Sequence, residues 1–268
     1  MATLDRTPIW NCNWIKDMSF FHLIQATLIL LYDNGCLGYL PPNFATFESW
    51  YDRINQTYVD RTSITPAMAL LLFSLGFTHK PRGLVVICGC YQGLAMNFIL
   101  AGLIAKTAHK DFPRVVALDI DGAAIERAHA NSQSLGLSFV EFFHDDARSW
   151  CAKNSESISL LYLDLDDPYR GKADYVTIFN LVRSEISPGG LLLAHDSESP
   201  VFTKDLDALK TLIVQSQVFS HINSFPVDQA GLLVAIKSTS ADPLLRCPRS
   251  LPNHLNLSPV SQRLPHAE

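Results

Sequence analysis

Leu84-Val85-Val86-Ile87-Cys88 runs directly into Gly89-Cys90-Tyr91-Gln92-Gly93 and then Leu94-Ala95-Met96. A short, uninterrupted apolar run of this kind suits a parallel strand covered on both faces. The two glycines, four apart, let the backbone turn tightly and let a ligand approach closely before a helix begins. The pattern then alternates. Helix is predicted over 93–109, strand over 114–119, helix over 123–136 and strand over 138–143. A short helix over 146–153, a strand over 158–164, a helix over 173–186 and a strand over 191–195 follow. A helix near 206–217 and strands near 218–223 and 231–236 close the series. Strand–helix alternation of this sort builds an α/β, doubly wound Rossmann-like sheet, mostly parallel, here with a C-terminal antiparallel strand.

Upstream, the chain is rich in aromatics, among them Trp10, Trp14, Phe20, Phe47 and Tyr51, and Pro41-Pro42 divides it into two helical stretches. A further helix has Thr62 or Thr65 as its cap and Pro66 in its first turn, and Gly76 reads as its stop. The expected organisation is an N-terminal helical cap or dimerisation segment over 1–61, a catalytic domain over 62–238 and a Pro-rich tail over 239–268. The most apolar run, near residues 20–32, is interrupted by His22, Gln25 and Thr27 and is too short to span a bilayer, so no membrane partner is expected. A net charge of -5 speaks against broad nucleic-acid binding. The six cysteines form no CxxC, which fits reduced thiols and a cytoplasmic location.

In a doubly wound sheet, ligands bind outside the carboxyl ends of the strands. The residues just past each strand therefore carry the functional reading. After the first strand, Gly89-x-x-x-Gly93 lacks the G-x-G-x-x-G spacing of a dinucleotide site. After the second comes Asp119, placed to accept hydrogen bonds from ribose hydroxyls, with Asp121 free to cap the next helix. After the third, Asp146 could accept from an exocyclic amine or could cap a helix. After the fourth come Asp164, Asp166 and Asp167, and after the fifth His195-Asp196. Adjacent strands would bring Asp164, His195 and Asp196 together, either as a Mg²⁺ or Mn²⁺ site or as a carboxylate-and-histidine hydrogen-bond network.

Taken in order, these parts resemble the class I S-adenosylmethionine-dependent methyltransferases over residues 64–237. Within that class they are similar to the metal-dependent small-molecule O-methyltransferases of the sugar-modifying and catechol or caffeoyl-CoA types. The matching parts are Thr65-Pro66, Gly89-x-x-x-Gly93, Asp119, Asp164-x-Asp166, and Ser187-Pro188-Gly189-Gly190 leading to His195-Asp196. The resemblance implies that Gly89, Tyr91 and Gly93 shape the cofactor turn, Asp119 holds the ribose and Asp146 lies near the adenine. It implies that Asp164, Asp196 and His195 ligate a divalent cation, Mg²⁺ foremost, and that Asp166 is the general base. The chain departs from the family at Ile87, where an acidic residue is usual. It also has Asp167 where the catechol type carries lysine, and Ser197 where it carries asparagine. The implied reaction is methyl transfer to a hydroxyl of a small, sugar- or diol-like acceptor. Transfer to nitrogen or carbon without metal, or a silent binding protein on the same fold, are the alternatives. Dimers are common in this class, so a homodimer is the oligomer the resemblance allows.

Overall fold

The computed structural model describes residues 19–58, 64–106 and 112–239. Expectations for residues 1–18, for Thr62 as a cap and for most of the tail lie outside the described residues. The centre of the fold is β1 (Leu84–Cys88), whose five residues are all buried. It pairs in parallel with β2 (Val115–Asp119) and β4 (Ile158–Leu163). Beyond these lie β3 (Val140–His144), β5 (Ile186–His195), β6 (Phe219–Phe225) and β7 (Leu232–Lys237). The strand order is β3-β2-β1-β4-β5-β7-β6, and β7 runs antiparallel to both its neighbours. This is the sheet the alternation predicts. The order reverses between β1 and β4, and there the connecting helices leave to opposite faces and open a crevice at the strands' carboxyl ends.

Both faces of the sheet are dry, which explains the unbroken apolar run of β1. Val85 and Ile87 join a core formed with α1 (Ser19–Asp33), α2 (Phe44–Thr57), α3 (Pro66–Thr78), α4 (Leu94–Lys106) and α5 (Gly122–Ser134). Leu84, Val86 and Cys88 join the opposite core with α6 (Ala147–Cys151), α7 (Asp174–Val182) and α8 (Thr203–Ser216). Each such side chain, fully buried, stabilises the fold by roughly 1.5–3 kcal/mol. The aromatic residues of α2 pack on α4: Tyr51 stacks on Phe98 at 5.8 Å, and Phe47 lies 5.6 Å from Phe73 of α3.

Of the boundaries that differ from the sequence reading, two have a clear physical cause. Thr65 does cap α3, accepting from the Met68 amide at 3.2 Å, but Gly76 does not end the helix, which continues to Thr78. Instead Gly76 is where α4 crosses: a Cβ there would overlap the Ile99 carbonyl oxygen, and one at Gly102 would overlap that of Phe73. The glycines admit close backbone contact, and that contact outweighs their weak helix propensity. The carbonyls at the end of α3 are met by Lys106, whose Nζ donates to Phe77 O at 2.5 Å and also to His79 O. At the second boundary, α7 stops at Val182 and β5 already begins at Ile186. Ile186 pairs with Ile158, and an irregularity then absorbs Ser187–Gly190 before Leu191 pairs with Leu160. The Pro-Gly-Gly segment that reads as a turn is thus carried within the strand.

Candidate active site

The residues singled out at the strand ends come together around one cleft of about 450 Å³. Its walls include Gly89, Tyr91, Asp119, Asp146, Asp164 and Asp166. A volume of this size suits a small-molecule ligand. The turn after β1 is shaped by three residues with positive φ, Gly89 (+81°), Tyr91 (+44°) and Gly93 (+89°). A Cβ on Gly89 would overlap the Asp164 carbonyl oxygen, so only glycine lets the β1 and β4 ends close up here. The turn is fastened at both ends. The Gly89 and Cys90 amides donate to Leu118 O at 2.9 and 3.0 Å. At the other end, Tyr58 Oη donates to Gln92 O at 3.1 Å, while Asn97 Nδ2 donates to that hydroxyl at 2.6 Å. Tyr58 has no motif around it, and only the fold brings it to the glycine turn.

Asp119 and Asp121 divide two tasks. Asp121 caps α5, accepting from the Ala123 and Ala124 amides at 2.9 and 3.2 Å. Asp119 stays at the cleft, its carboxylate oriented by the Tyr91 amide at 2.7 Å and the Asp121 amide at 3.0 Å, one on each oxygen. Each oxygen keeps a lone pair for a further donor. Asp146 lines the cleft but is heavily engaged. It caps α6 through the Arg148 amide at 2.8 Å and is clasped by the Arg148 guanidinium, whose hydrogen bonds hold its pKa at about 2.

The three carboxylates after β4 take three different roles. Asp167 organises the loop: its carboxylate accepts the Tyr169 and Arg170 amides at 2.8 and 2.9 Å and pairs with the Arg170 guanidinium. Asp166 is exposed on the cleft and makes no hydrogen bond or ion pair among the described residues. Asp164 turns inward, accepting from Tyr162 Oη at 3.1 Å. The loop then delivers a residue to which the sequence reading assigns no role. Lys172 follows Gly171 (φ +58°), and its amide is tied to Asp205 Oδ2 at 3.0 Å. Its side chain, 2% exposed, sends Nζ to 2.7 Å from Asp196 Oδ2 and 3.3 Å from Asp164 Oδ1. Its only sequence signal is a lysine eight residues past a strand-end aspartate.

His195, Asp164 and Asp196 do converge, with potential ligand atoms all within 4.8 Å of one another. Asp196 sits in the left-handed region at φ +63°, a strained conformation for a non-glycine residue. His195 Nδ1 lies 3.3 Å from Asp164 Oδ1 and 3.5 Å from Asp196 Oδ2. Burial disfavours the imidazolium, but the two carboxylates outweigh it and push the His195 pKa up to about 10. Burial likewise opposes ionisation of Asp164 and Asp196, and His195 and Lys172 together hold both below the usual carboxylate range. In donor type and convergence the cluster resembles a divalent-cation site. In charge and space it does not fit one, because the Lys172 ammonium already lies against both carboxylates. Gly93, His195, Asp196 and Lys172 are not among the residues of the cleft wall itself.

Residues 86–197 match a family model described as a methyltransferase domain. Over those residues the chain is similar to a methyltransferase domain, and its fold is one shared with solved methyltransferases. The Podospora anserina methyltransferase PaMTH1, solved with SAH bound, superposes with a TM-score of 0.55 at 14% identity. The match covers 74% of this chain and 90% of that one. An O-methyltransferase from Bacillus cereus in complex with SAH gives a TM-score of 0.52 at 16% identity, covering 81% of this chain and 100% of that one. At these identities the likeness is one of fold. No curated protein matches the chain by sequence.

Proposed function

We propose that this chain transfers a methyl group from S-adenosylmethionine to an oxygen of a small hydroxylated metabolite. The observation that carries the reading is one cleft wall holding Gly89, Cys90 and Tyr91 of the glycine turn, Asp119, and the unengaged carboxylate of Asp166. The residues fit the cofactor. The positive φ of Gly89 and Gly93 shapes the turn beside which the methionine end would lie, and Asp119 retains lone pairs for ribose hydroxyls. Asp146, clasped by Arg148, would border the adenine. When bound, S-adenosylmethionine supplies the electrophilic sulfonium methyl.

The chain's own part in the reaction is positioning and proton removal. Asp166, on the cleft wall, would take the hydroxyl proton as the acceptor oxygen bonds to the methyl carbon, the methyl–sulfur bond breaks and S-adenosylhomocysteine leaves. Asp167 and Arg170 hold the loop that presents it. A cationic amine acceptor is less well served, because Arg148 and Arg170 already answer the carboxylates of Asp146, Asp167 and Asp174. The convergence of Asp164, His195 and Asp196 supports a metal-assisted form of the reaction, whereas Lys172 stands against it. A soluble small acceptor, with neither nucleic acid nor membrane as partner, completes the proposal, and a homodimer is the assembly it allows. No described helix is long and apolar enough to cross a membrane.

Calorimetric titration of S-adenosylmethionine into the purified protein tests the cofactor assignment. Micromolar binding is expected, and Asp119→Ala should weaken it by about 10- to 100-fold, or roughly 1.4–2.7 kcal/mol. Absence of binding to the wild-type protein would end the methyltransferase reading.

A further inference from the structure

We infer that Lys172 is the resident cation of the Asp164–His195–Asp196 cluster, and that this protein works without a divalent metal ion at that place. The inference deepens the methyltransferase reading and rests on it for its catalytic meaning, but its physical content stands on the cluster alone.

The ammonium is where an ion would have to be. Nζ contacts Asp196 Oδ2 at 2.7 Å and Asp164 Oδ1 at 3.3 Å. Those same two oxygens face His195 Nδ1 at 3.5 and 3.3 Å. A divalent ion bound through them would therefore sit against both a lysine ammonium and the donor edge of the imidazole. Like-charge repulsion at that separation, in a site shielded from water, opposes its entry. Mg²⁺ also demands oxygen ligands in near-octahedral array, commonly with several waters. Here one carboxylate oxygen of each aspartate is already committed to two nitrogen donors.

Lys172 is built into this position. The antiparallel bridge between Asp167 and Gly171 closes the loop, with N–O distances of 2.7 and 3.0 Å. The Lys172 amide is fixed to Asp205, and the rings of Tyr175 and Phe202 lie 5.5 and 5.2 Å from the ammonium. Aromatic faces at that range favour a cation. A buried lysine without partners would be strongly disfavoured, so the cluster and the lysine stabilise each other. Two carboxylates less one ammonium leave a single negative charge, half of what M²⁺ would need. Lys172 acts here as a positioning residue. It fixes the two carboxylates beneath the loop that presents Asp166.

The test is a titration of Mn²⁺ followed by electron paramagnetic resonance, in which bound ion loses the six-line signal of free ion. Wild-type protein is expected to leave the signal of free Mn²⁺ unchanged up to millimolar concentration. Lys172→Ala should bind Mn²⁺ at least tenfold more tightly than wild type, and Asp196→Asn added to that variant should abolish the binding. Should Lys172→Ala fail to fold, Lys172→Met, which keeps the buried stem, takes its place. Stoichiometric Mn²⁺ binding by wild type, removed by Asp164→Asn or Asp196→Asn, would overturn the inference. So would a folded Lys172 variant that binds no more ion than wild type. Neither outcome depends on S-adenosylmethionine binding, so failure of the methyltransferase reading would be seen separately in the calorimetry.

Discussion

Asp166 and Asp167 are adjacent and chemically identical, yet their surroundings assign them opposite tasks. Asp167 is saturated by two amides and the Arg170 guanidinium, which lower its pKa. A carboxylate so engaged has little proton affinity to offer a reacting hydroxyl. Asp166, on the cleft and without such partners among the described residues, leaves both carboxylate oxygens open to a ligand, as the proposed base requires. Asp166→Asn retains the side chain's shape and removes only the proton acceptor. It should lower kcat by about 10²- to 10⁴-fold while leaving S-adenosylmethionine affinity nearly unchanged. A parallel loss of cofactor binding would mean that the residue holds the loop instead. At this scale Gly89, Asp119, Asp164 and Asp166 were legible in the sequence because strand ends in such a sheet must face the crevice. Lys172 was not, since its side chain reaches the site by folding back through a turn. Tyr58 was hidden for a related reason: its hydroxyl meets the glycine turn from a segment with no pattern of its own.

Among the elements, the α3–α4 crossing shows why boundaries are harder to read than elements. Gly76 carries the local signature of a helix stop, but its lack of a side chain is used sideways, against Ile99 of α4. Local sequence rules see the missing Cβ and not the helix lying across it. Gly76→Ala places a Cβ against main chain, where no flexible side chain can give way. A destabilisation of about 1–3 kcal/mol is expected, read as a lowered urea midpoint with unchanged slope. If Gly76 were only a helix terminator, alanine would instead be neutral or slightly stabilising through helix propensity. The start of β5 has the same origin. Its pairing with β4 at Ile186 is a long-range contact that overrides the turn chemistry of Ser187–Gly190.

Over the whole molecule, the alternation of strands and helices was enough to specify the sheet and its crevice, because both faces must be covered and crossovers keep one hand. What alternation cannot show is how stability responds to pH, to which one buried imidazole contributes. His79 follows α3, is 2% exposed, and its Nε2 has no hydrogen-bond partner among the described residues. Burial, helped by the nearby Lys106 ammonium, lowers its pKa to about 3. The unfolded chain takes up a proton near pH 6.5, whereas the folded protein resists it until about pH 3. Stability from this group is therefore complete above about 6.5 and drains away as the pH falls toward 3, at about 1.4 kcal/mol per pH unit. Between pH 7 and pH 5 this amounts to roughly 2 kcal/mol. Lys106, whose ammonium burial lowers to about 7, titrates mainly above that interval and largely cancels in a comparison of variants. His79→Leu should thus lose about 2 kcal/mol less than wild type when urea unfolding is repeated at pH 7 and pH 5. Parallel losses in the two proteins would place the acid sensitivity elsewhere and show that the His79 imidazole can be protonated without unfolding.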